Sequence, residues 1–144
     1  MGATVEIETM PGYLPTLPVT PHAELVEAAR VAAGDKYEVE VTDDAGQFSG
    51  GSTDVGDVQH IQPVYTFGTG GIEGRFHGDD FNVVDEELAY IETAKVFALG
   101  AYRFLRDNAK VAKEVVADYK PKYTKNEYVE LLDSFIKTEI KEFD

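Results

Sequence analysis

At 144 residues the chain has the length of one ordinary domain. With 43% hydrophobic residues and eight each of Phe and Tyr it can bury a core, which excludes disorder throughout. Its 27 acidic side chains against 13 Lys and Arg give a formal charge of −14, which repels phosphate and argues against nucleic acid or a membrane surface as partner. Cysteine is absent, so there is no disulfide, no thiolate nucleophile and no Cys-based zinc site. No apolar run reaches the ~18–20 residues of a membrane span and no signal-peptide layout opens the chain, so the expected compartment is the cytoplasm.

Ala3 to Glu8 alternate apolar and acidic residues, the period of a half-buried strand, and Pro11-Gly12 ends it. Three prolines from Tyr13 to Pro21, at Pro15, Pro18 and Pro21, forbid a helix there. Thr20 then caps a predicted helix with Pro21 in its first position and Leu25, Ala28, Ala29 and Ala32 as its apolar stripe, closed by Gly34. Tyr37, Val39 and Val41 alternate with Glu38 and Glu40, predicting a second strand, and Pro63 to Phe67 predict a third. Nine of the thirteen glycines fall between Gly46 and Gly78, a density that marks loops where backbone can approach a ligand closely.

From Asp85 the period becomes helical. Asp85 caps, Glu86 and Glu87 fill the first turn, and Leu88, Ile91, Ala94, Ala98, Ala101, Tyr102 and Leu105 form a stripe reaching Arg106, its small residues suited to packing on a sheet. A second helical stretch runs from about Asn108 to Tyr119, stopped by Pro121. Thr124 and Glu127 make a capping box for a last helix whose apolar face is Leu131, Leu132, Phe135, Ile136 and Ile140. The expected class is α/β, a small mixed sheet with packed helices.

The chemistry-bearing residues are few. Of the three histidines, His22 reads as a surface residue of a first helical turn, and no compact ligand pair such as His-Glu-x-x-His occurs. His77 lies in a glycine-supported loop between Arg75 and the pair Asp79-Asp80, where on these residues alone it reads as a solvated loop histidine. Gly51-Ser52-Thr53-Asp54-Val55-Gly56-Asp57 is no phosphate loop, since no Gly-Lys-Ser/Thr follows and its carboxylates repel phosphate. If a helical turn forms there, Asp54 and Asp57 share a face, and the same pattern reads as acidic residues at the positive end of a helix capped by Ser52 or Thr53. Ser52 lacks the Gly-x-Ser-x-Gly elbow of a nucleophile.

The order of these motifs is more specific than any one of them. Pro11-Gly12-Tyr13-Leu14-Pro15 follows a strand, then come Gly51 to Val58, a proline-started strand ending Phe67-Gly68, His77 with Asp79 and Phe81, and Asp85-Glu86-Glu87-Leu88 opening an alanine-rich helix. From Ala3 to about Leu105 this order resembles the C-terminal part of the metal-dependent amidohydrolases and carboxypeptidases related to aminobenzoyl-glutamate hydrolase, hippurate hydrolase and the aminoacylases. The resemblance implies that residues 1–12 hold the last strand of a lid or dimerisation domain and its crossing segment. Residues 13–119 would be the C-terminal part of a zinc-peptidase-like catalytic domain, and 120–144 a C-terminal helix. It implies His77 as a metal ligand, Gly51, Ser52, Thr53, Asp54 and Asp57 as a loop lining the substrate pocket, and Gly70 and Gly71 as shaping the approach to His77. Gly78 stands where relatives often carry serine, and Gln59-His60 where many carry serine and an aromatic.

Such enzymes use two divalent ions, zinc or manganese, with a glutamate base, and this chain has no counterpart of the His-x-Asp segment or of the acidic pair that contains the base. The expectation is therefore a piece about one third of a larger enzyme, inactive alone, with a missing N-terminal catalytic half, or self-association, covering its exposed surface and a small amide as substrate. The alternative is a non-catalytic acidic binding or interaction module that retains the fold fragment.

Overall fold

Residues 2–42 and 53–143 are described in the computed structural model, and they sort into two units. The first comprises residues 2–17, 53–64 and 119–143, the second residues 18–42 and 65–118. The architecture is mixed: helices with two small antiparallel ladders. No parallel pair occurs among the described residues, so the expected mixed sheet is absent there.

In the first unit the predicted N-terminal strand forms as β1 (Ala3–Thr9) and pairs with the C-terminal strand, labelled β4 (Lys137–Phe143). The helix predicted to run through Ile140 ends earlier: α4 (Lys125–Phe135) is followed at once by β4. Ile136 leaves the helix with extended backbone, and Thr138 and Ile140 are β-branched residues that suit a strand once a partner edge is available. The register places Val5 opposite Lys141 and Ile7 opposite Glu139, whereas Ile140 lies opposite Glu6. Directly paired residues share a face, so Ala3, Val5, Ile7 and Phe143 lie on one side and Ile140 on the other. Ile140 remains 67% exposed.

The first unit is held elsewhere by α2 (Val55–Ile61). Its side chains reach the proline-rich segment: the Leu14 amide donates to Asp57 Oδ1 at 3.0 Å, and Gln59 both accepts from the Leu17 amide at 2.8 Å and donates to the Leu17 carbonyl at 3.3 Å. Beyond its C-terminus, the His60 carbonyl accepts from the amides of Lys122 and Tyr123, the His60 ring stacks on Tyr123, and the Tyr119 hydroxyl donates to the Gln59 carbonyl. Thr124 and Glu127 form the predicted capping box of α4.

The second unit is built on α1 (Ala23–Ala33) packed against α3 (Thr93–Asp118). Ala28 and Ala32 of α1 and Val96 and Gly100 of α3 are buried where the two helices pack, whereas Ile91, Ala94, Ala98, Ala101, Tyr102 and Leu105 of the predicted stripe are exposed, so the long helix packs through a different face, and on a helix rather than a sheet. A Cβ on Gly100 would sit 3.4 Å from Leu25 Cδ1, which leaves no spare room at the crossing. Arg103 ties the helices polarly, 2.9 Å from Glu24 and 3.7 Å from Glu27.

The cap of α1 is His22 rather than Thr20: its Nδ1 accepts from the Glu24 amide at 3.2 Å. The ring is half-buried against Tyr65 and Phe104, not on the surface as its place in a first turn predicts. A π-helical turn (Glu87–Glu92) precedes α3, and Thr93 Oγ1 takes up the Leu88 carbonyl at 3.2 Å. The predicted break after Arg106 appears as Asp107, Asn108 and Ala109 in left-handed conformation inside α3. Tyr37–Val41 and Pro63–Phe67, predicted as strands, form no ladder among the described residues. A short hairpin, β2 (Ile72–Glu73) with β3 (Asn82–Val83), completes the unit. No helix among the described residues is long and apolar enough to cross a membrane.

Candidate functional site

The sequence-derived candidates divide between the units. Thr53, Asp54 and Asp57 belong to the first, and Gly70, Gly71 and His77 to the second, while Gly51 and Ser52 lie outside the described residues.

In the first unit the helical turn does form, with Asp54 at the N-cap of α2 and Asp57 in its first turn. The two carboxylates are not equivalent. Asp57 is half-buried and committed, one oxygen accepting the Leu14 amide, and its charge lies beside Tyr128, whose hydroxyl is pushed up chiefly by burial and further by Asp57. Asp54 is exposed; its side chain makes no cap bond and, among the described residues, meets the Thr53 hydroxyl at 3.5 Å. Thr53, one residue before the cap, accepts the Val55 amide at 3.4 Å; the N-cap is Asp54 rather than the Ser52 or Thr53 that the sequence suggests. Asp54 is thus the exposed carboxylate of the motif, and Asp57 is a clamp on the proline-rich segment. Gly56 explains its own presence: a Cβ there would lie 2.0 Å from the Leu14 carbonyl oxygen.

In the second unit His77 stands in the loop of the β2–β3 hairpin, exposed and with φ 63°. A non-glycine residue in the left-handed region is held there by its surroundings at a cost of ~1 kcal/mol. Those surroundings are visible. The Gly78 amide closes a turn on the Arg75 carbonyl at 2.8 Å, Arg75 Nε meets Asp80 Oδ1 at 3.3 Å, and the Arg75 guanidinium lies 3.6 Å from Asp79. Gly74 has φ 94°, and a Cβ on it would fall 2.1 Å from the Asp80 carbonyl oxygen, so only glycine lets the loop close on itself. Arg75 and Asp80 frame the histidine; their spacing of five around Gly78 was the available signal, and sequence patterns for salt bridges address helices at three or four.

Gly70 and Gly71 serve the packing of this loop onto the start of the long helix. The Gly71 carbonyl accepts the amides of Val84 and Asp85, at 2.8 and 3.2 Å, and a Cβ on Gly71 would lie 2.4 Å from the Asp85 carbonyl oxygen. Asp85 fulfils its predicted cap: its Oδ1 accepts the Leu88 amide at 3.0 Å and the Tyr37 hydroxyl donates to Oδ2 at 3.1 Å. The Leu88 amide bond, with Tyr37 and Lys36 nearby, holds the Asp85 carboxyl below its ordinary range. The glycines and Asp85 thus fix where the His77 hairpin departs from the helix.

Among the described residues no three His, Asp or Glu side chains converge to hold a cation. His77 offers one accessible imidazole, which fits the part of a single ligand and no more. Compared with protein-family models, with curated proteins and with solved structures, the chain finds no match.

Proposed function

We propose that this chain is the C-terminal part of a metal-dependent amidohydrolase that cleaves the amide bond of an N-acyl amino acid or small peptide-like substrate. The observation that carries the reading is the motif order along the chain, from the Gly-Ser-Thr-Asp-Val-Gly-Asp segment through His77 to the Asp85-capped helix. Three features of the structure support it. His77 is presented outward on a hairpin whose conformation is costly and over-determined by Gly74, Arg75 and Asp80. Asp54 is exposed, while Asp57 in the same motif is engaged by the Leu14 amide. Large apolar side chains lie open in both units, Phe76 at 82% and Phe97 at 65% exposure in the second and Ile140 in the first, as expected of surfaces that pack against further protein.

In this reading His77 supplies one nitrogen ligand to a divalent ion, zinc or manganese, whose other ligands and general base come from an N-terminal portion. The bound ions would polarise the scissile carbonyl and lower the pKa of a water. Within this chain, His77 fixes position, the Arg75–Asp80 pair keeps the imidazole facing outward, and Asp54 lines the substrate pocket with the rest of its loop. The chain by itself is inactive.

The test is complementation. Co-expression with the metal-binding portion of such an enzyme, drawn from the adjoining reading frame, should restore zinc- or manganese-dependent hydrolysis of an N-acyl amino acid. His77→Ala should abolish it with the complex still assembled. A complex that forms and hydrolyses equally well with His77→Ala overturns the assignment.

A further inference from the structure

The apolar stripe that the sequence lays along the long helix is left open by the fold. Val96 and Gly100, four residues apart, are buried where α3 packs on α1. Ile91 in the π-helical turn, then Ala94, Ala98, Ala101, Tyr102 and Leu105, are exposed. At about 100° per residue the helical members of this set centre on the side away from Val96 and Gly100. Tyr90 and Phe97 flank the stripe, and Ile91, Phe97, Tyr102 and Leu105 each leave more than half their surface open. A helix that is apolar on both faces belongs inside a protein, so the outer face of α3 requires a cover. Charge narrows what that cover is. Residues 93–106 contain no Asp or Glu, in a chain of net charge −14. The basic residues of the stretch are matched within the chain: Lys95 to Glu92 at 2.7 Å, Arg103 to Glu24 at 2.9 Å and Arg106 to Glu24 at 3.7 Å. An anionic lipid surface or an acidic partner would need unmatched cations and is the poorer occupant. Two copies meeting here do so across a neutral seam, free of the repulsion that the net charge imposes.

We propose that the outer face of α3 pairs with the same face of a second copy, the two helices antiparallel about a two-fold axis at Ala98. The order of side chains favours that partner. Ala94 and Ala101 stand four before and three after Ala98, and Ile91 and Leu105 stand seven to either side. Large, small, small, small, large reads the same in both directions, which is what a self-complementary pair about a two-fold axis needs. Ile91 of each copy then packs on Leu105 of the other, Ala94 packs on Ala101, and the alanines let the axes approach to about 8 Å. The seam ends where α3 breaks at Asp107. At about 150–250 Å² for an aromatic side chain, the open residues offer roughly 600 Å² per copy, so a pair buries about 1,200 Å², the lower edge of a specific interface. The dimer is therefore reversible. It does not depend on the amidohydrolase reading.

The chain has no cysteine, so introduced cysteines report the seam without background. Under mild oxidation Ala98→Cys should link into dimers, because at the axis the residue meets its own counterpart within the ~7 Å that a disulfide spans. Ala94→Cys and Ala101→Cys should each link poorly alone, their own counterparts lying roughly 10 Å away along the seam, and should link readily when mixed. Linking of either alone as readily as the mixture would show parallel pairing or random collision and overturn the proposal. Light scattering at roughly 100 μM chain, in about 1 M sodium chloride to screen repulsion, gives the second reading. Ala98→Lys should weaken dimerisation at least tenfold although it makes the chain less negative. Val116→Lys, the same charge change at an exposed residue beyond the break, should leave it unaltered. Dimerisation that Ala98→Lys leaves intact or strengthens, or that Val116→Lys weakens equally, would overturn the proposal. So would a parent chain that stays monomeric under these conditions, which would show the outer face covered by another part of the chain or by another protein. Should Ala98→Lys fail to fold, the pattern of cysteine links decides by itself.

Discussion

Gly56→Ala is the sharpest test of how the Gly-Ser-Thr-Asp-Val-Gly-Asp segment is used. In an ordinary exposed helix the change is favourable, because alanine exceeds glycine in helix propensity by ~1 kcal/mol. Here the new methyl would lie 2.0 Å from the Leu14 carbonyl oxygen and 3.0 Å from the carbonyl carbons of Leu14 and Pro15. That is roughly 1.5 Å inside normal contact with the oxygen, and the obstacle is backbone, which cannot swing aside as a side chain would. The segment must lift off α2, and with it go the Leu14 amide bond to Asp57 and the paired bonds between Leu17 and Gln59. At ~1 kcal/mol for each neutral hydrogen bond and ~2 for the one to a carboxylate, about 4 kcal/mol is at risk. Some is recovered by solvation and ~1 by propensity, leaving a net loss of about 2–3 kcal/mol. Urea denaturation followed by circular dichroism measures the loss, and amide exchange at Leu14 and Leu17 locates it. Gly12→Ala, where nothing lies within 4 Å of the new methyl, is the control and should stay within ~0.5 kcal/mol of the parent. A Gly56→Ala variant as stable as the parent, or more so, would refute the close approach of Leu14 to α2 and with it the role of Asp57 as a clamp.

Ala28→Leu should destabilise the second unit by roughly 1–3 kcal/mol, since Ala28 is wholly buried at the α1–α3 crossing, and a neutral result in urea denaturation would deny that crossing. Ala109→Gly should stabilise by about 1 kcal/mol, because Ala109 sits at φ 57° where glycine carries no strain; a loss instead would mean the residue is in ordinary helix. The carboxyls of Glu24, Asp85 and Glu127 are held low by Arg103, by the Leu88 amide and by Thr124 respectively, so the unfolded chain binds protons more readily at all three. Their stabilisation is complete above the ordinary carboxylate range and disappears as pH falls through the lowered folded values, below about pH 4. The urea midpoint should therefore drop between about pH 5 and pH 3 more steeply than in the Glu24→Gln, Asp85→Asn, Glu127→Gln triple variant, and identical slopes would refute the assignment.

What was legible in the sequence was whatever rests on neighbours along the chain. The capping box at Thr124 and Glu127, the Asp85 cap, the Gly34 closure of α1 and the break after Arg106 all depend on residues within a turn of one another, and each is found. What rests on distant partners was not. Ile140 fits the apolar face of a helix, but β1, more than a hundred residues away, offers an edge, and Thr138 and Ile140, both β-branched, take it. His22 looked like a surface residue because nothing local reveals Tyr65 and Phe104. Tyr37–Val41 and Pro63–Phe67 have strand composition, and a ladder needs a partner that no pattern within the segment can supply. For the candidate site, spacing singled out Asp54 and Asp57 together, while the Leu14 amide that separates their roles lies 43 residues from Asp57.

The exposed apolar surface and the charge of −14 act against each other, and that opposition sets a last expectation. Open side chains such as Phe97 and Ile140 favour association, whereas two copies of a strongly acidic chain repel at every approach. At low ionic strength the repulsion reaches about 30 Å and should hold copies apart; near 1 M salt it shrinks to about 3 Å. Light scattering should therefore show self-association rising with added sodium chloride. Copies that associate at low salt and separate at high salt would show an interface held by opposite charges, which is incompatible with apolar faces as the source of association.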